Sequence, residues 1–186
     1  NRILEDTRQN KLGKCRHLFG SAITPDGCID YLETLVGACS NIFYIKGEPG
    51  TGRSTLLSKI YSSALEAGYD SEAYHCALEP SRFEHVIIPS LDTALTTSPK
   101  FENQCTEIVD MNTLRDSSFI VTNKYDMEYD KNMFSRLLNE AVNTLCRVKE
   151  TRKYLENLYS SNMDFDRINK LRQQILNRIM RNINIE

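Results

Sequence analysis

Residues 47–55 read Gly47-Glu48-Pro49-Gly50-Thr51-Gly52-Arg53-Ser54-Thr55. This run matches the phosphate-loop pattern G-x-x-x-x-G-K-[ST], except that Arg53 stands in the lysine position. In such loops the glycines let the backbone wrap around phosphates, and the following helix presents its positive N-terminal end. We therefore predict that residues 47–53 hold phosphates, that Ser54 binds Mg²⁺, and that Thr55 helps to cap the helix.

The residues on either side of the loop favour a strand before it and a helix after it. Residues 42–45 form a short apolar run, typical of a central parallel strand that is covered on both faces. The predicted helix starts at Ser54 and ends before Gly68, which is placed for a left-handed C-terminal cap. Its apolar face is predicted from helical spacing to consist of Leu56, Leu57, Ile60 and Ala64.

The rest of the chain up to residue 129 predicts one α/β domain. Strands are expected over 72–76 and 84–88, and weaker ones over 91–97 and 107–111. Upstream, residues 16–24 favour an extended segment, and Pro25-Asp26-Gly27 favours a turn. A helix is expected next, with an apolar face of Ile29, Leu32, Leu35, Val36 and Cys39. The strand–loop–helix–strand order indicates a P-loop-type parallel sheet flanked by helices.

The apolar period becomes helical from about Asp130. Two helices are predicted, separated by a break at residues 160–162, with Asp164 or Asn162 as the cap of the second one. We therefore divide the chain into a polar lead-in (1–14), a P-loop domain (15–129) and a helical hairpin (130–186). The hairpin could act as a lid, as a contact between two copies of the chain, or as a surface for another partner.

Composition and charge exclude several classes of protein. No apolar run approaches the ~20 residues that cross a bilayer, and no pattern of basic and aromatic residues suggests a nucleic-acid groove. The six cysteines are scattered, which favours reduced thiols and a cytoplasmic location. Two widely separated pairs, Cys15 with His17 and His75 with Cys76, offer four zinc ligands but carry little information. Residues 131–186 are basic and the preceding residues are acidic, which indicates a basic tail on an acidic core or an acidic partner for the tail.

Four carboxylates are candidates for the chemistry of the loop. Asp92 and Asp110 each follow an apolar segment, where phosphate-loop enzymes place an Asp that holds Mg²⁺. Glu48 lies inside the loop and could approach an attacking water. Glu79 follows a predicted strand, on the edge where α/β sheets bind ligands, and could act as a general base. The alternative for each of the four is an exposed carboxylate without a role in the chemistry, which for Asp92 and Asp110 means a solvated loop or cap residue.

Several segments together resemble an uncharacterised bacterial family of P-loop ATPases whose members often carry two such domains in tandem. The segments are Arg16 to Gly27, the loop itself, Tyr74 to Ser81, Val86 to Pro89 and, more loosely, Met163-Asp164-Phe165. The match is good over residues 15–95 and is most similar to the second domain of those proteins. The resemblance implies ATP as ligand, and a further P-loop domain upstream in the full-length protein.

Two departures from that family fall on its catalytic residues. Family members usually carry lysine at the position of Arg53, and they tend to have an Asp after the strand that reads Ala94-Leu95-Thr96-Thr97 in this chain. We therefore expect an ATP-binding domain with weak or partner-dependent ATPase activity. The alternatives are a degenerate regulatory or scaffold domain without turnover, and a kinase that acts on a small, nucleotide-like acceptor.

Overall fold

A computed structural model describes residues 11–115 and 117–183 of the chain. The strands in this part are β1 (Cys15–Phe19), β2 (Ser21–Thr24), β3 (Gly27–Asp30), β4 (Asn41–Lys46), β5 (Ser71–His75), β6 (Phe83–Ile88), β7 (Thr93–Thr96) and β8 (Glu107–Asp110). The helices are α1 (Leu32–Leu35), α2 (Arg53–Glu66), α3 (Ser117–Ser160) and α4 (Phe165–Ile183). Short 3₁₀ turns span Pro89–Leu91, Pro99–Phe101 and Met111–Leu114.

Six of the described strands form one mixed sheet in the order β1-β5-β6-β7-β4-β8. Strand β6 is antiparallel to both of its neighbours, whereas the other pairs are parallel. The prediction of an α/β fold with a helix-flanked sheet is confirmed, but the sheet is not wholly parallel. The reason is connection length, because only residues 76–82 and 89–92 join β6 to β5 and β7. A parallel connection needs a crossover of about a dozen residues or more.

Strand β4 is an interior strand, parallel to β7 on one side and to the edge strand β8 on the other. Its apolar sequence predicts a parallel strand with neighbours on both sides, but β4 lies one strand from the edge of the sheet and not at its centre. One core cluster covers the α2 face of the sheet and includes Leu57 and Tyr61 together with Ile45 of β4. A second cluster includes Leu32, Phe101 and, from β4, Ile42. The strand that leads into the glycine loop is therefore anchored by apolar packing on both sides.

The segment before β4 differs from the sequence-based expectation. The extended run breaks at Gly20 into β1 and β2, and β2 pairs with β3 as an antiparallel hairpin. Ile29 consequently lies in a strand opposite Ala22 and not on a helix, and α1 is a single turn. The predicted turn at residues 25–27 causes this, because Gly27 adopts φ +101° and reverses the chain.

Most of the predicted polar lead-in lies outside the described residues. Its last residues are attached to the domain, since the Gly13 amide donates to the Leu65 carbonyl and the Lys14 amide donates to Asp70. By its contacts the chain divides into two units, one ending at Val142 and the other beginning at Asn143. The boundary expected from the sequence, at 129/130, follows the change in apolar period and falls within α3.

The C-terminal region contains two helices joined by a short turn, as predicted. Helix α3 begins at Ser117, before the apolar period becomes visible in the sequence. The carboxylate of Asp164 accepts a hydrogen bond from the Arg167 amide and so caps α4. The apolar stripe of α4 remains exposed, with Ile168, Leu171, Ile175, Leu176 and Ile179 each 41–55% accessible. No helix in the described part of the chain combines the length and apolar character that a membrane crossing requires.

Buried His85 makes the stability of the domain depend on pH. The side chain lies in β6 and is bonded to the Thr96 hydroxyl at 2.8 Å. Burial lowers the pKa of His85 from 6.5 to about 4, against a smaller opposing effect of Asp30. The unfolded chain therefore binds more protons than the folded one between these two pH values, so stability falls as the pH falls. We expect a loss of about 2 kcal/mol between pH 7 and pH 5, above the range in which carboxylates titrate.

This loss is measurable by urea unfolding at pH 7, 6 and 5. His85→Gln keeps an amide that can bond Thr96 and should flatten the pH profile. Ser62→Ala changes an exposed residue that carries no titratable group and should leave the wild-type profile unchanged. A profile for His85→Gln that runs parallel to that of the wild type would contradict this account.

Candidate functional site

The glycine-rich loop joins the end of β4 to the start of α2. Gly50 and Gly52 adopt φ angles of +86° and +88°, a region that glycine enters without strain. At Gly47 a Cβ atom would lie 2.4 Å from Thr51 Oγ1 and 3.2 Å from Met111 Cβ, so a larger residue does not fit. All three glycines are thus required by the backbone path or by close packing.

Hydrogen bonds fix the loop internally and to the turn after β8. The amide and the hydroxyl of Thr51 both donate to the Glu48 carbonyl, at 3.2 and 2.8 Å. The Glu48 amide donates to Asn112 Oδ1 at 3.1 Å, and the Asn112 amide donates to Asp110 at 2.8 Å. The loop is therefore held in place from outside, by side chains of the neighbouring strand end.

Helix α2 begins at Arg53, one residue earlier than predicted, with Gly52 as the N-cap residue. Glycine has no side chain to bond the first amides, and the N–H groups of a first helical turn have no intrahelical acceptor. No acidic residue occupies this first turn. The positive end of the helix is therefore available to an anion next to the loop.

Ser54 links the start of α2 to strand β6. Its hydroxyl oxygen accepts a hydrogen bond from the Phe83 amide at 3.0 Å. A hydroxyl oxygen has two lone pairs and one proton, so this bond leaves one acceptor position and the proton. The side chain is thus fixed in orientation and still able to act as a metal ligand.

Cations surround the loop. Lys131 of α3 forms an ion pair with Glu48 at 2.7 Å. This lysine lowers the pKa of Glu48 below its usual value, and Arg115 and Arg53 add smaller effects in the same direction. Lys46, the lysine nearest to the loop in sequence, is paired with Glu102 and so is already engaged.

A cleft of ≈ 550 Å³ opens between the loop, the 111–114 turn and α3. Its lining consists of Pro49, Gly50, Thr51, Met111, Leu114, Arg115 and Met127. Met127 and Lys131 are four residues apart on α3 and so lie on the same helix face. The cleft has the size that is typical of a small-molecule site.

The structure separates the two aspartates that the sequence proposed as metal ligands. Asp110 ends β8 and is the cross-strand partner of Lys46, so it lies at the edge of the sheet where the loop begins. The carbonyl of Asp92 accepts a hydrogen bond from the amide of Asn41, the first residue of β4. Asp92 therefore lies at the opposite end of β4, roughly 20 Å away by strand geometry. We do not carry Asp92 forward as a ligand at the loop.

The two glutamates proposed for the chemistry are both engaged by cations. Glu48 is bound to Lys131, as described above, and Glu79 is bound within its own turn to Arg82 at 2.8 Å. At the end of β7, where the resemblance leads one to expect an aspartate, Thr96 is fully buried. Its hydroxyl bonds His85 and the Ser98 amide. A free carboxylate is therefore found at none of these three positions.

Of the two pairs considered as zinc ligands, the two histidines lie in contact. Parallel pairing of β1 with β5 places His17 Nδ1 2.9 Å from His75 Nε2. In the described residues, however, no group of three or more His, Cys, Asp or Glu side chains is arranged to hold a metal ion. None of the six cysteines forms a disulfide, and none of them is fully buried.

Three residues of the site were not found from the sequence: Asn112, Arg115 and Lys131. Asn112 and Arg115 lie in the turn after β8, and the pairing of β8 with β4 brings that turn to the loop. The spacing of Met127 and Lys131 indicates a shared helix face, but nothing in the sequence indicates what that face meets.

Comparison of the chain with protein-family models, curated proteins and solved structures finds no match.

Proposed function

We propose that the chain binds ATP with Mg²⁺ at the 47–55 loop and hydrolyses it slowly or only with a partner. The observation that carries this proposal is the loop itself, a glycine-rich turn between an interior parallel strand and a helix N-terminus without a side-chain cap. Backbone amides and a helix N-terminus are well suited to phosphate oxygens. The surrounding excess of cations over Glu48 favours a ligand with several negative charges.

Ser54 and Asp110 are the residues that would hold Mg²⁺, the first directly and the second through water. Both lie where the loop meets the sheet, and the bond from the Phe83 amide fixes the Ser54 hydroxyl. Bound Mg²⁺ would neutralise charge on the phosphates. Arg53 keeps the positive charge of the usual lysine, although its planar guanidinium donates in a fixed fork.

A second candidate function is nucleotide binding without turnover, in a regulatory or scaffold role. One observation favours it, namely that Glu48 and Glu79 are each paired with a cation and Thr96 takes the place of a carboxylate. Under this alternative the chain would bind nucleotide tightly and release no phosphate. Under our proposal, slow phosphate release would rise when a partner is added.

Calorimetric titration with ATP, with and without Mg²⁺, tests the proposal directly. We expect micromolar binding that strengthens about tenfold with Mg²⁺, which corresponds to about 1.4 kcal/mol. No binding up to millimolar ATP would contradict the proposal.

Ser54→Ala should abolish the gain from Mg²⁺ and leave metal-free ATP binding within a few-fold of the wild type. The variant also leaves the Phe83 amide without its acceptor, so its melting temperature must be measured alongside. Ser54→Thr keeps the hydroxyl and should restore the Mg²⁺ dependence. Ser62→Ala, an exposed serine of the same helix, is the matched control. Retention of the full Mg²⁺ effect in Ser54→Ala would remove this residue from the metal site.

A further inference from the structure

Arg115 lies beside the loop, but the proposed function assigns no ligand contact to its guanidinium. Arg115 ends the turn after β8, where its amide donates to the Asn112 carbonyl at 3.2 Å. Asn112 also bonds the Glu48 amide, so the turn that carries Arg115 is attached to the loop. Its side chain lines the cleft together with Pro49, Gly50 and Thr51.

The Nε–H group of Arg115 is buried without a hydrogen-bond acceptor. Among the described residues, no other buried side-chain nitrogen or oxygen lacks a hydrogen-bond partner. A buried donor that lacks a partner destabilises the folded state, and more so when it is charged. Native structures contain few such groups, and an unfilled ligand site is one physical explanation for them.

The charges around the loop indicate which kind of ligand would suit Arg115. Arg53, Arg115 and Lys131 all act on the Glu48 carboxylate, and Lys131 holds that carboxylate at 2.7 Å. The Glu48 carboxylate thus faces three cations, and Asp110 is the second carboxylate near the loop. A guanidinium donates through a planar fork that matches two oxygens of a phosphate, which suits Arg115 to an anionic oxygen pair.

Arg115 differs from the other two cations in what it can contribute. Arg53 is the first residue of α2, and its position is fixed by the loop pattern that holds any phosphate chain. Lys131 is paired and 54% exposed, so water and Glu48 satisfy it when no ligand is bound. Arg115 reaches the loop from a separate element, and its buried Nε–H has no acceptor among the described residues.

We propose that Arg115 binds the terminal phosphate of a nucleoside triphosphate and makes the 47–55 loop selective for triphosphates over diphosphates. This inference rests on the proposed function, since it requires that the loop bind the nucleotide. The loop and α2 would hold the phosphates common to both ligands, and Arg115 would bind the additional one. Hydrogen bonds to charged groups are worth enough to account for a selectivity of about 10- to 100-fold.

The test compares the dissociation constants of Mg²⁺-ADP and of Mg²⁺ with a non-hydrolysable ATP analogue. In the wild type we expect the analogue to bind about 10- to 100-fold more tightly than ADP. Arg115→Gln should weaken the analogue by about that factor and leave ADP within about threefold. Arg115→Lys, which keeps the charge and loses the fork, should fall between the two. Arg82→Gln removes an arginine that is paired with Glu79, and this control should change neither constant.

Thermal melting separates ligand binding from a merely structural role. Removing a buried donor that has no partner should leave the melting temperature of the ligand-free protein unchanged or raised. The additional stabilisation by the analogue over ADP should disappear in Arg115→Gln. A variant that melts lower without ligand and loses both nucleotides equally would show a structural role and overturn the inference.

The remaining outcomes distinguish this inference from the proposed function. If the wild type binds ADP and the analogue equally well, the loop binds nucleotide but the selectivity assigned to Arg115 is wrong. The same conclusion follows if Arg115→Gln retains the wild-type preference. If the wild type binds neither nucleotide, the proposed function fails, and the inference fails with it.

Discussion

Replacing Arg53 with lysine is expected to raise the rate of ATP hydrolysis by about 100- to 1,000-fold. The estimate follows from the cost of one misaimed donor to a transition state, about 3–4 kcal/mol. The Arg53 stem packs against the start of the loop, because its Cδ lies 3.3 Å from the position of a Cβ on Gly47. A bulkier planar group in this place can hold phosphates and still misplace the one that is transferred.

Phosphate release under saturating Mg²⁺-ATP measures this effect, with the dissociation constant determined in parallel. Lys59→Arg makes the reverse exchange at an exposed position of the same helix and should not alter turnover. Arg53→Gln removes the charge and should weaken binding. If turnover of Arg53→Lys is unchanged or lower, residue 53 does not limit hydrolysis. That result would favour the alternative of nucleotide binding without turnover, which the ion pairs of Glu48 and Glu79 also favour.

Gly47→Ala is expected to weaken Mg²⁺-ATP binding at least 100-fold, which is about 3 kcal/mol. The added methyl group would lie 2.4 Å from Thr51 Oγ1 and 3.2 Å from Met111 Cβ. Thr51 also bonds the Glu48 carbonyl through that oxygen. The loop must therefore move or lose the bond that shapes it, and either change would disturb the backbone path that we propose for holding phosphates.

Calorimetric titration of Gly47→Ala measures this loss, and urea unfolding shows whether the domain remains folded. Gly27→Ala is the matched control, since it strains a glycine at φ +101° in the β2–β3 hairpin and meets no neighbouring atom. That variant should lose about 1 kcal/mol of stability and no affinity. Affinity of Gly47→Ala within a few-fold of the wild type would show that the loop does not enclose the phosphates as we propose.

The residues that we propose to test belong to two different parts of the site. Arg53 and Gly47 belong to the loop, whereas Arg115 and Lys131 reach it from other elements. Changes in the loop should affect every nucleotide, and a change at Arg115 should affect only triphosphates. If the loop variants weaken all nucleotides and the Arg115 variant weakens only triphosphates, the site selects for the number of phosphates. A loop that merely binds anions would not show this difference.

The sequence by itself determined the elements whose interactions are local. The apolar run of β4, the glycines of the loop and the apolar face of α2 are encoded within about 25 consecutive residues, and the structure confirms the strand, the turn and the helix in that order. Local backbone preferences and a helical or strand period suffice for such features. Asp110 and Glu79 each follow a strand in the sequence, and this order alone places them at the carboxyl edge of the sheet.

Only the tertiary structure decided which distant groups meet the loop. Short connections make β6 antiparallel, and the position of Asp92 at the start of β7 puts it at the far end of β4. Pairing of β8 with β4 brings Asn112 and Arg115 to the loop, and α3 adds Lys131. None of these contacts is local, and strand order and helix docking depend on the packing of the whole sheet. The pattern of residue types along the chain therefore does not predict these long-range contacts.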